Sequence, residues 1–333
     1  MPYDPTVMNR RRGWDLLAAS IAIAGCVRTL PSSDPVSGTD AGTDRVPPST
    51  SRDAGMDEAI DGIDGGGPCP VTIAPAGTFN FLSAGNSLTC GIHPDGTLTC
   101  WGLSVPALTG VFKDVSALLG ACGVRTTGQL DCAGLPTSVG TTPAGIYDQV
   151  VIAEDALCAR AGAQVDCWGH AGYAPQGYVF ESLTGGAYYM CGLEASQHAA
   201  VCWEPRVGME SQGVQQGPFA TVDTGRFFAC GLRVDGSVAC WVAAWPPASE
   251  AAILQQTPPA GPFRELSVGE FHACALDAAG AVTCWGEDHY GDTVPPAGLV
   301  LAHVSAGSYH TCGIKPDGTV VCWGGSPPCG TQP

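Results

Sequence analysis

Seven cysteine pairs recur along this chain, and the two members of a pair are 9 to 11 positions apart. In six pairs the second cysteine is followed at once by tryptophan, and only the second pair has Ala133 in its place. The pairs are Cys90 and Cys100, Cys122 and Cys132, Cys158 and Cys167, Cys191 and Cys202, Cys230 and Cys240, Cys274 and Cys284, and Cys312 and Cys322. A motif that returns about every 37 residues predicts a repeat architecture.

Each copy has the pattern of a β-hairpin. In the segments Thr89 to Gly102 and Thr311 to Gly324, two runs of Thr, Ile, Val and Leu flank a Pro-Asp-Gly turn. Counting outward from that turn places Cys90 opposite Cys100, in a non-hydrogen-bonded pair whose Cα atoms are close enough for a disulfide. The third and fourth copies differ in spacing, and a loop of two or four residues restores the same pairing. The spacing therefore predicts seven hairpin disulfides.

Three of the 17 cysteines fall outside these pairs. Cys69 precedes the first copy and Cys329 follows the last, so we expect these two to bridge the ends of the repeat array. Chains dense in disulfides are typical of oxidising compartments, and the sequence has no CxxC or Cys/His grouping with zinc spacing. We expect no bound metal and no cofactor.

The folded part is predicted to be all-β, from residue 69 to residue 333. Each copy offers an approach strand followed by the two strands of its hairpin, and no stretch has helical periodicity. Seven small antiparallel sheets of about three strands, each with its hairpin disulfide, predict a seven-bladed β-propeller. The sequence leaves open whether the second blade is regular, because its segment from Gly120 to Ala133 lacks both the tryptophan and the Asp-Gly turn.

The segments Ser305 to Gly324, Ser267 to Gly286 and Asp223 to Trp241 resemble the regulator-of-chromosome-condensation repeat (RCC1) in a bacterial, cysteine-bearing form. The shared signature is SAG, HTC, DG and CWG in that order, and it covers nearly all of residues 69 to 333. The resemblance also implies a seven-bladed propeller. It does not transfer a function, because one fold serves many functions.

The first 25 residues resemble a bacterial lipoprotein signal peptide. Arg10, Arg11 and Arg12 precede a short apolar run from Leu16 to Ala24, and Cys26 ends a lipobox-like segment. The resemblance implies acylation of Cys26 and, with Val27 beside it, an anchor in the outer membrane, on its periplasmic or its cell-surface face. Translation from Met1 or from Met8 and export by the general or the twin-arginine route are all compatible with this pattern. Residues 26 to 68 are rich in Ser, Pro, Gly and Asp without aromatic residues, which indicates a disordered acidic linker.

Charge and motifs narrow the possible functions. From position 69 onward there are 21 acidic residues against 8 Lys plus Arg, a balance that repels nucleic acid. The sequence has no nucleophile elbow, HExxH, P-loop or dinucleotide motif, so we expect no enzyme. The leading hypothesis is a monomeric envelope lipoprotein that binds a protein or glycan and touches the membrane only through its lipid. The alternatives are a structural or adhesive protein without a single ligand and an extracellular enzyme acting on polysaccharides.

Candidate contacts lie in the irregular loops after each tryptophan, because repetition builds the scaffold and the loops differ. We expect binding residues among the large aromatic and charged side chains there, since such residues dominate interface energy. These are Tyr173, Arg206, Trp245 and Tyr290. The tryptophans themselves, and His272 and His310 before their cysteines, are predicted to pack within the scaffold.

Overall fold

The computed structural model describes residues 74–102, 108–135, 137–140, 144–169, 174–188, 190–203, 214–242 and 257–325. Their regular structure consists of 22 strands in seven antiparallel sheets. Within these ranges no helix is long and apolar enough to cross a membrane.

Each sheet is one blade, formed by strands that follow one another in the chain. Blade 1 contains β1 (Phe81–Ala84), β2 (Leu88–Ile92) and β3 (Leu98–Gly102). Blade 2 contains β4 (Phe112–Ala117), β5 (Ala121–Arg125) and β6 (Leu130–Ala133). Blade 3 contains β7 (Gln149–Ala153), β8 (Ala156–Ala161) and β9 (Gln164–Gly169). Blade 4 has four strands, β10 (Phe180–Gly185), β11 (Met190–Glu194), β12 (Ala200–Trp203) and β13 (Val214–Gln215). Blade 5 contains β14 (Phe219–Thr224), β15 (Phe228–Arg233) and β16 (Val238–Val242). Blade 6 contains β17 (Phe263–Val268), β18 (His272–Asp277) and β19 (Val282–Gly286). Blade 7 contains β20 (His303–Ala306), β21 (His310–Ile314) and β22 (Val320–Gly324).

The hairpins have the predicted register. Cys90 lies opposite Cys100 with Cα atoms 4.0 Å apart, and the two sulfurs are bonded. At the turn, the His93 N–H donates to the Thr97 carbonyl oxygen (2.8 Å), which makes that pair the hydrogen-bonded one. Gly96 has φ +82°, a left-handed conformation that favours glycine.

The same disulfide recurs in every other blade, between cysteines that face each other on the second and third strands. The bonded pairs are Cys122 with Cys132, Cys158 with Cys167, Cys191 with Cys202, Cys230 with Cys240, Cys274 with Cys284 and Cys312 with Cys322. Changes in loop length leave this pairing intact, since the sequence separation is 9 in blade 3 and 11 in blade 4. The seven predicted hairpin disulfides are confirmed.

Blade 2 is regular despite its divergent sequence. Its turn has the same hydrogen bonds as the turns of blades 1, 5, 6 and 7, from Arg125 N–H to the Gln129 oxygen (2.8 Å) and from Gly128 N–H to the Arg125 oxygen (2.7 Å). Gly128 has φ +90°, so Thr127-Gly128 replaces Asp-Gly without a change of turn. Only the glycine of that dipeptide is needed for the backbone conformation.

The blades form a closed ring in which each packs on the next. The first strands of neighbouring blades lie side by side around the axis, and β1 of blade 1 also contacts β20 and β21 of blade 7. Phe79 N–H donates to the Gly318 oxygen (2.9 Å) across that junction. This is the predicted seven-bladed β-propeller, and the all-β fold class is confirmed.

The tryptophans join neighbouring blades. Trp203 of blade 4 packs in one cluster with Cys158 and Cys167 of blade 3, and Trp101 of blade 1 packs with Cys312 and Cys322 of blade 7. Trp168, Trp241, Trp285 and Trp323 repeat this contact with the preceding disulfide. Where blade 2 has Ala133, Leu108 packs against the cluster that contains Cys90 and Cys100. In each Cys-Trp pair, the cysteine cross-links its own hairpin and the tryptophan covers the disulfide of the preceding blade.

Side chains of the first strands satisfy the free backbone edge of the next blade. These strands pair on one side only, which leaves N–H groups that a partner must satisfy. Ser83 Oγ accepts from Ala117 N–H (3.0 Å), and Ser305 Oγ accepts from Ala84 N–H (2.9 Å) across the closing junction. Asp223 holds the same position in blade 5 and accepts from Val268 N–H (2.7 Å). These polar side chains therefore help to lock the ring.

Candidate functional site

The turn between the first and second strands of every blade lies at one mouth of the central channel. It begins with a glycine in five of the seven blades, and the backbones at these five positions touch in sequence. A Cβ on Gly186 would overlap the Gly225 carbonyl oxygen. A Cβ on Gly225 would overlap the Gly269 carbonyl oxygen, a Cβ on Gly269 that of Gly307, and a Cβ on Gly307 that of Gly85. Glycine at this position allows the blades to converge around the axis. The residues that follow the glycines then surround the channel mouth.

These residues line a pocket with a volume of about 160 Å³, which we call the axial pocket. Every blade contributes at least one residue to it. The lining residues are Asn86, Leu118, Leu119, Glu154, Ala187, Tyr188, Arg226, Glu270 and Tyr309.

One side of the mouth is aromatic. At the second position after the glycine or its equivalent, blades 4 to 7 carry Tyr188, Phe227, Phe271 and Tyr309, which we call the aromatic arc. Blades 1 to 3 have Ser87, Leu119 and Asp155 there, each three positions before the first cysteine of its hairpin. Ring centroids within the arc are 5.2 Å apart for Tyr188 and Phe227 and 5.5 Å apart for Phe271 and Tyr309. The scaffold is repetitive, whereas this rim differs from blade to blade.

Arg226 lies at the centre of the aromatic arc. Its guanidinium carbon is 5.3 Å from the Tyr188 ring centroid, 5.2 Å from that of Phe227 and 5.5 Å from that of Phe271. Its Nη1 also forms an ion pair with Glu270 Oε1 at 3.0 Å. The arc therefore already holds a cation, that of the protein's own arginine. Burial and the nearby Glu270 carboxylate raise the pKa of the Tyr309 hydroxyl.

Of the four binding residues predicted from the sequence, one lies in the described part of the chain. Tyr290 is 37% exposed and its ring meets that of Tyr309 edge-on at 5.7 Å, so it lies beside the axial pocket. Tyr173, Arg206 and Trp245 lie outside the described residues, as do Cys26, Cys69 and Cys329. The loops after the tryptophans begin on the pocket side, since Gly325 N–H donates to the Tyr309 oxygen (2.8 Å) and Glu287 N–H to the Phe271 oxygen (3.0 Å).

Sequence reasoning did not find the axial pocket. Its residues come from seven turns that are about 40 positions apart, and they converge only when the ring closes. A usable signal was present, because the position after Gly-x is aromatic in four consecutive copies. The predicted loops share the same face as the pocket, but the turns near the axis form its wall.

The histidines before the cysteines join blades, as expected of scaffold residues. His310 Nε2 lies 2.7 Å from Thr89 Oγ1 of blade 1, and His272 Nε2 lies 2.7 Å from Thr311 Oγ1 of blade 7. The Thr311 hydroxyl donates to the Asp292 carbonyl oxygen (3.0 Å), so it must accept from His272, whose ring is neutral with its proton on Nε2. Burial lowers the pKa of His272 to about 3 and raises that of Asp292 to about 7.

The described part of the chain contains no group of three or more His, Cys, Asp and Glu side chains that could hold a metal ion. Two carboxylates, Glu154 and Glu270, line the axial pocket. Because Glu270 is oriented by Arg226, it serves as the partner of a fixed cation.

Fold and pocket together define a disulfide-stapled β-propeller with an axial pocket on one face. Residues 263–292 and 302–330 match the model of the regulator of chromosome condensation (RCC1) repeat, and these two segments span blades 6 and 7. Two of the seven blades of this propeller thus match the RCC1 repeat.

Solved propellers share the architecture at low sequence identity. The CRINKLY WD40 ectodomain of the Arabidopsis thaliana receptor kinase ACR4 is 22% identical, with a TM-score of 0.59 over 75% of this chain and 96% of that one. The ectodomain of the Physcomitrella patens receptor kinase CR4 is 22% identical, with a TM-score of 0.58 over 75% and 74%. Human WBSCR16 is 12% identical, with a TM-score of 0.57 over 76% and 88%. These likenesses concern the fold.

Proposed function

We propose that this protein is a non-enzymatic binding module of the cell envelope whose propeller holds a partner at the axial pocket. The observation that carries the proposal is the individuality of the pocket rim. Seven equivalent positions around it are occupied by Ser, Leu, Asp, Tyr, Phe, Phe and Tyr. On the opposite face, five of the seven hairpin turns share one form, a three-residue loop that ends in a left-handed glycine, for example Pro94-Asp95-Gly96 and Pro316-Asp317-Gly318. Recognition needs such differences, whereas a scaffold needs only the repetition.

Binding suits the pocket better than hydrolysis does. A glycosidase of the usual kind needs one carboxylic acid that gives its proton to the leaving group and a second carboxylate that acts as base or nucleophile. Here Glu270 Oε1 lies 3.0 Å from Arg226 Nη1, so the carboxyl group is held against a guanidinium of the protein itself and is not placed for proton transfer to a leaving group. The pair thus argues against Glu270 as a general acid.

The proposed location is outside the cytoplasm. Seven disulfides are typical of an oxidising compartment. We further propose that Cys26 carries the lipid anchor in the outer membrane and that residues 26 to 68 tether the propeller. A Cys26→Ser variant should then move from the membrane fraction to the soluble fraction; retention in the membrane fraction would contradict the anchor.

A photo-crosslinking residue placed on either face tests the binding proposal. Leu119 is 42% exposed at the axial pocket, and Val234 is 69% exposed in a turn on the opposite face. With the full chain in its own envelope, we expect a discrete adduct from position 119 and none from position 234. Equal labelling at both positions would favour a structural or adhesive protein without a single ligand. The absence of any adduct at position 119 would overturn the proposal.

A further inference from the structure

We infer that the axial pocket holds one neutral sugar ring, so that the partner of the propeller is a glycan. This inference rests on the proposed binding function and adds the chemical class of the ligand. It follows from the size of the pocket, the arrangement of its walls and its charge.

The size limits the occupant to a single ring. A cavity of about 150 Å³ accepts a molecule as large as benzene. The axial pocket has about 160 Å³, which suits one six-membered ring and excludes a helix or a folded loop of a partner protein. The rest of an extended ligand would lie over the rim.

The walls match the two kinds of surface on a sugar. Leu118 and Leu119 of blade 2 form an apolar wall, and Tyr188 and Tyr309 contribute aromatic rings from blades 4 and 7. The C–H bonds of a pyranose pack against such groups, because an aromatic face carries partial negative charge. Asn86 offers a donor and an acceptor for hydroxyl groups, and the carboxylates accept from them. The lining thus combines four polar or charged side chains with apolar and aromatic ones, and oriented polar groups beside an apolar surface fix the orientation of a small ligand.

The charge selects a neutral ligand. The pocket contains two carboxylates and one guanidinium within a chain of net charge −17, so an anion such as a phosphate or a uronate would be repelled. A cation has no place in the aromatic arc, because Arg226 already lies within 5.5 Å of three ring centroids and pairs with Glu270. What the pocket can recognise is therefore shape and hydroxyl pattern.

Saturation-transfer NMR on the full chain in detergent tests the inference. The probes are the methyl glycosides of glucose, galactose, mannose and N-acetylglucosamine, with glucuronate as the anionic comparison and glucosamine as the cationic one. We expect saturation at the ring protons of at least one neutral glycoside and none for the two charged sugars. Stronger binding of glucosamine or glucuronate, or no signal from all four neutral sugars, would overturn the inference.

Two matched variants locate the binding. Leu119→Asp places a charge in the pocket and should weaken the glycoside by at least about tenfold, as expected for a lost hydrophobic contact in a fitted site. Val234→Asp makes the same change on the far face and should leave the affinity unchanged. Equal effects of the two substitutions would contradict binding in the axial pocket. A protein adduct at position 119 combined with failure of every sugar would leave the binding function standing and remove the glycan.

Discussion

At the scale of single residues, the residue type at a repeat position is explained by the side chain that it contacts. The glycine after the first cysteine makes room for the large residue at the start of the blade. A Cβ on Gly231 would overlap the ring of Phe219, which is 2% exposed. Blade 6 has Ala275 at this position, and there Phe263 is only half-buried. Blade 3 also has alanine at this position, Ala159, and its aromatic residue Tyr147 is only 4% exposed, so a ring can adjust to the methyl group without leaving the core.

This comparison predicts the effect of exchanging the two residues. Gly231→Ala should force the Phe219 ring to shift and lower the free energy of unfolding by about 1 to 3 kcal/mol, the usual cost of overpacking. Ala275→Gly in blade 6 should cost less, because it relieves a crowded position while adding backbone freedom. Denaturant unfolding of both variants and the parent measures the difference. Equal losses would show that Phe219 does not depend on the glycine.

Contacts within one hairpin could be predicted from the sequence, whereas contacts between blades could not. The pairing of Cys90 with Cys100 was predictable because it depends on a turn of three residues between them. The role of Ser83 was not, since its partner Ala117 N–H belongs to the next blade and becomes a neighbour only through ring closure. The predicted contact Tyr290 lies at the edge of the axial pocket, but its neighbour Tyr309 comes from a turn that looked like scaffold.

At the scale of the blade, a disulfide and a tryptophan act on different junctions. The disulfide ties two strands of one sheet, whereas the tryptophan that follows it packs on the disulfide of the preceding blade. Trp203 is 2% exposed in the cluster that contains Cys158, Val151 and Met190. A blade is therefore held by its own sulfurs and by the indole of its successor.

Removal of the tryptophan and removal of the disulfide should lower the free energy of unfolding by different amounts. Trp203→Ala should lower the free energy of unfolding by about 3 to 5 kcal/mol, because it empties a buried volume between two blades. Replacing Cys158 and Cys167 by Ala should cost about 2 to 3 kcal/mol by the loop-entropy model, since the closed loop is short. Chemical denaturation under non-reducing conditions compares them. A larger loss of unfolding free energy from the cysteine replacement than from Trp203→Ala would contradict this prediction.

At the scale of the whole ring, blade 7 meets blade 1 through a histidine. His310 Nε2 lies 2.7 Å from Thr89 Oγ1, and burial lowers the pKa of His310 to about 4. The unfolded chain binds a proton near pH 6.5, whereas the folded chain resists it until about pH 4. Stability should therefore fall as the pH falls through this window, because the folded ring must then accommodate a buried charge at its closing junction.

His310→Leu tests this acid sensitivity, and Leu88 shows that leucine fits the equivalent position in blade 1. Loss of the hydrogen bond should lower the free energy of unfolding at pH 7 by about 1 kcal/mol. Between pH 6.5 and pH 4 the parent should lose up to about 3 kcal/mol more than the variant does. Parallel pH profiles for the two proteins would show that His310 is not the group that destabilises the ring in acid.

At the closing junction of the ring we also predict the disulfide between the two end cysteines. Blades 1 and 7 already meet through non-covalent contacts, including Ala84 N–H to Ser305 Oγ (2.9 Å) and Ser308 N–H to the Gly85 oxygen (3.1 Å). A bridge between Cys69 and Cys329 would add a covalent clasp to this junction and close a loop of about 260 residues, which corresponds to about 5 kcal/mol in the loop-entropy model. Cys329→Ser should therefore cost more than the loss of a hairpin disulfide. Non-reducing peptide mapping of the parent should recover the two cysteines in one linked peptide, and free thiols at both positions would leave the closure to blade packing alone.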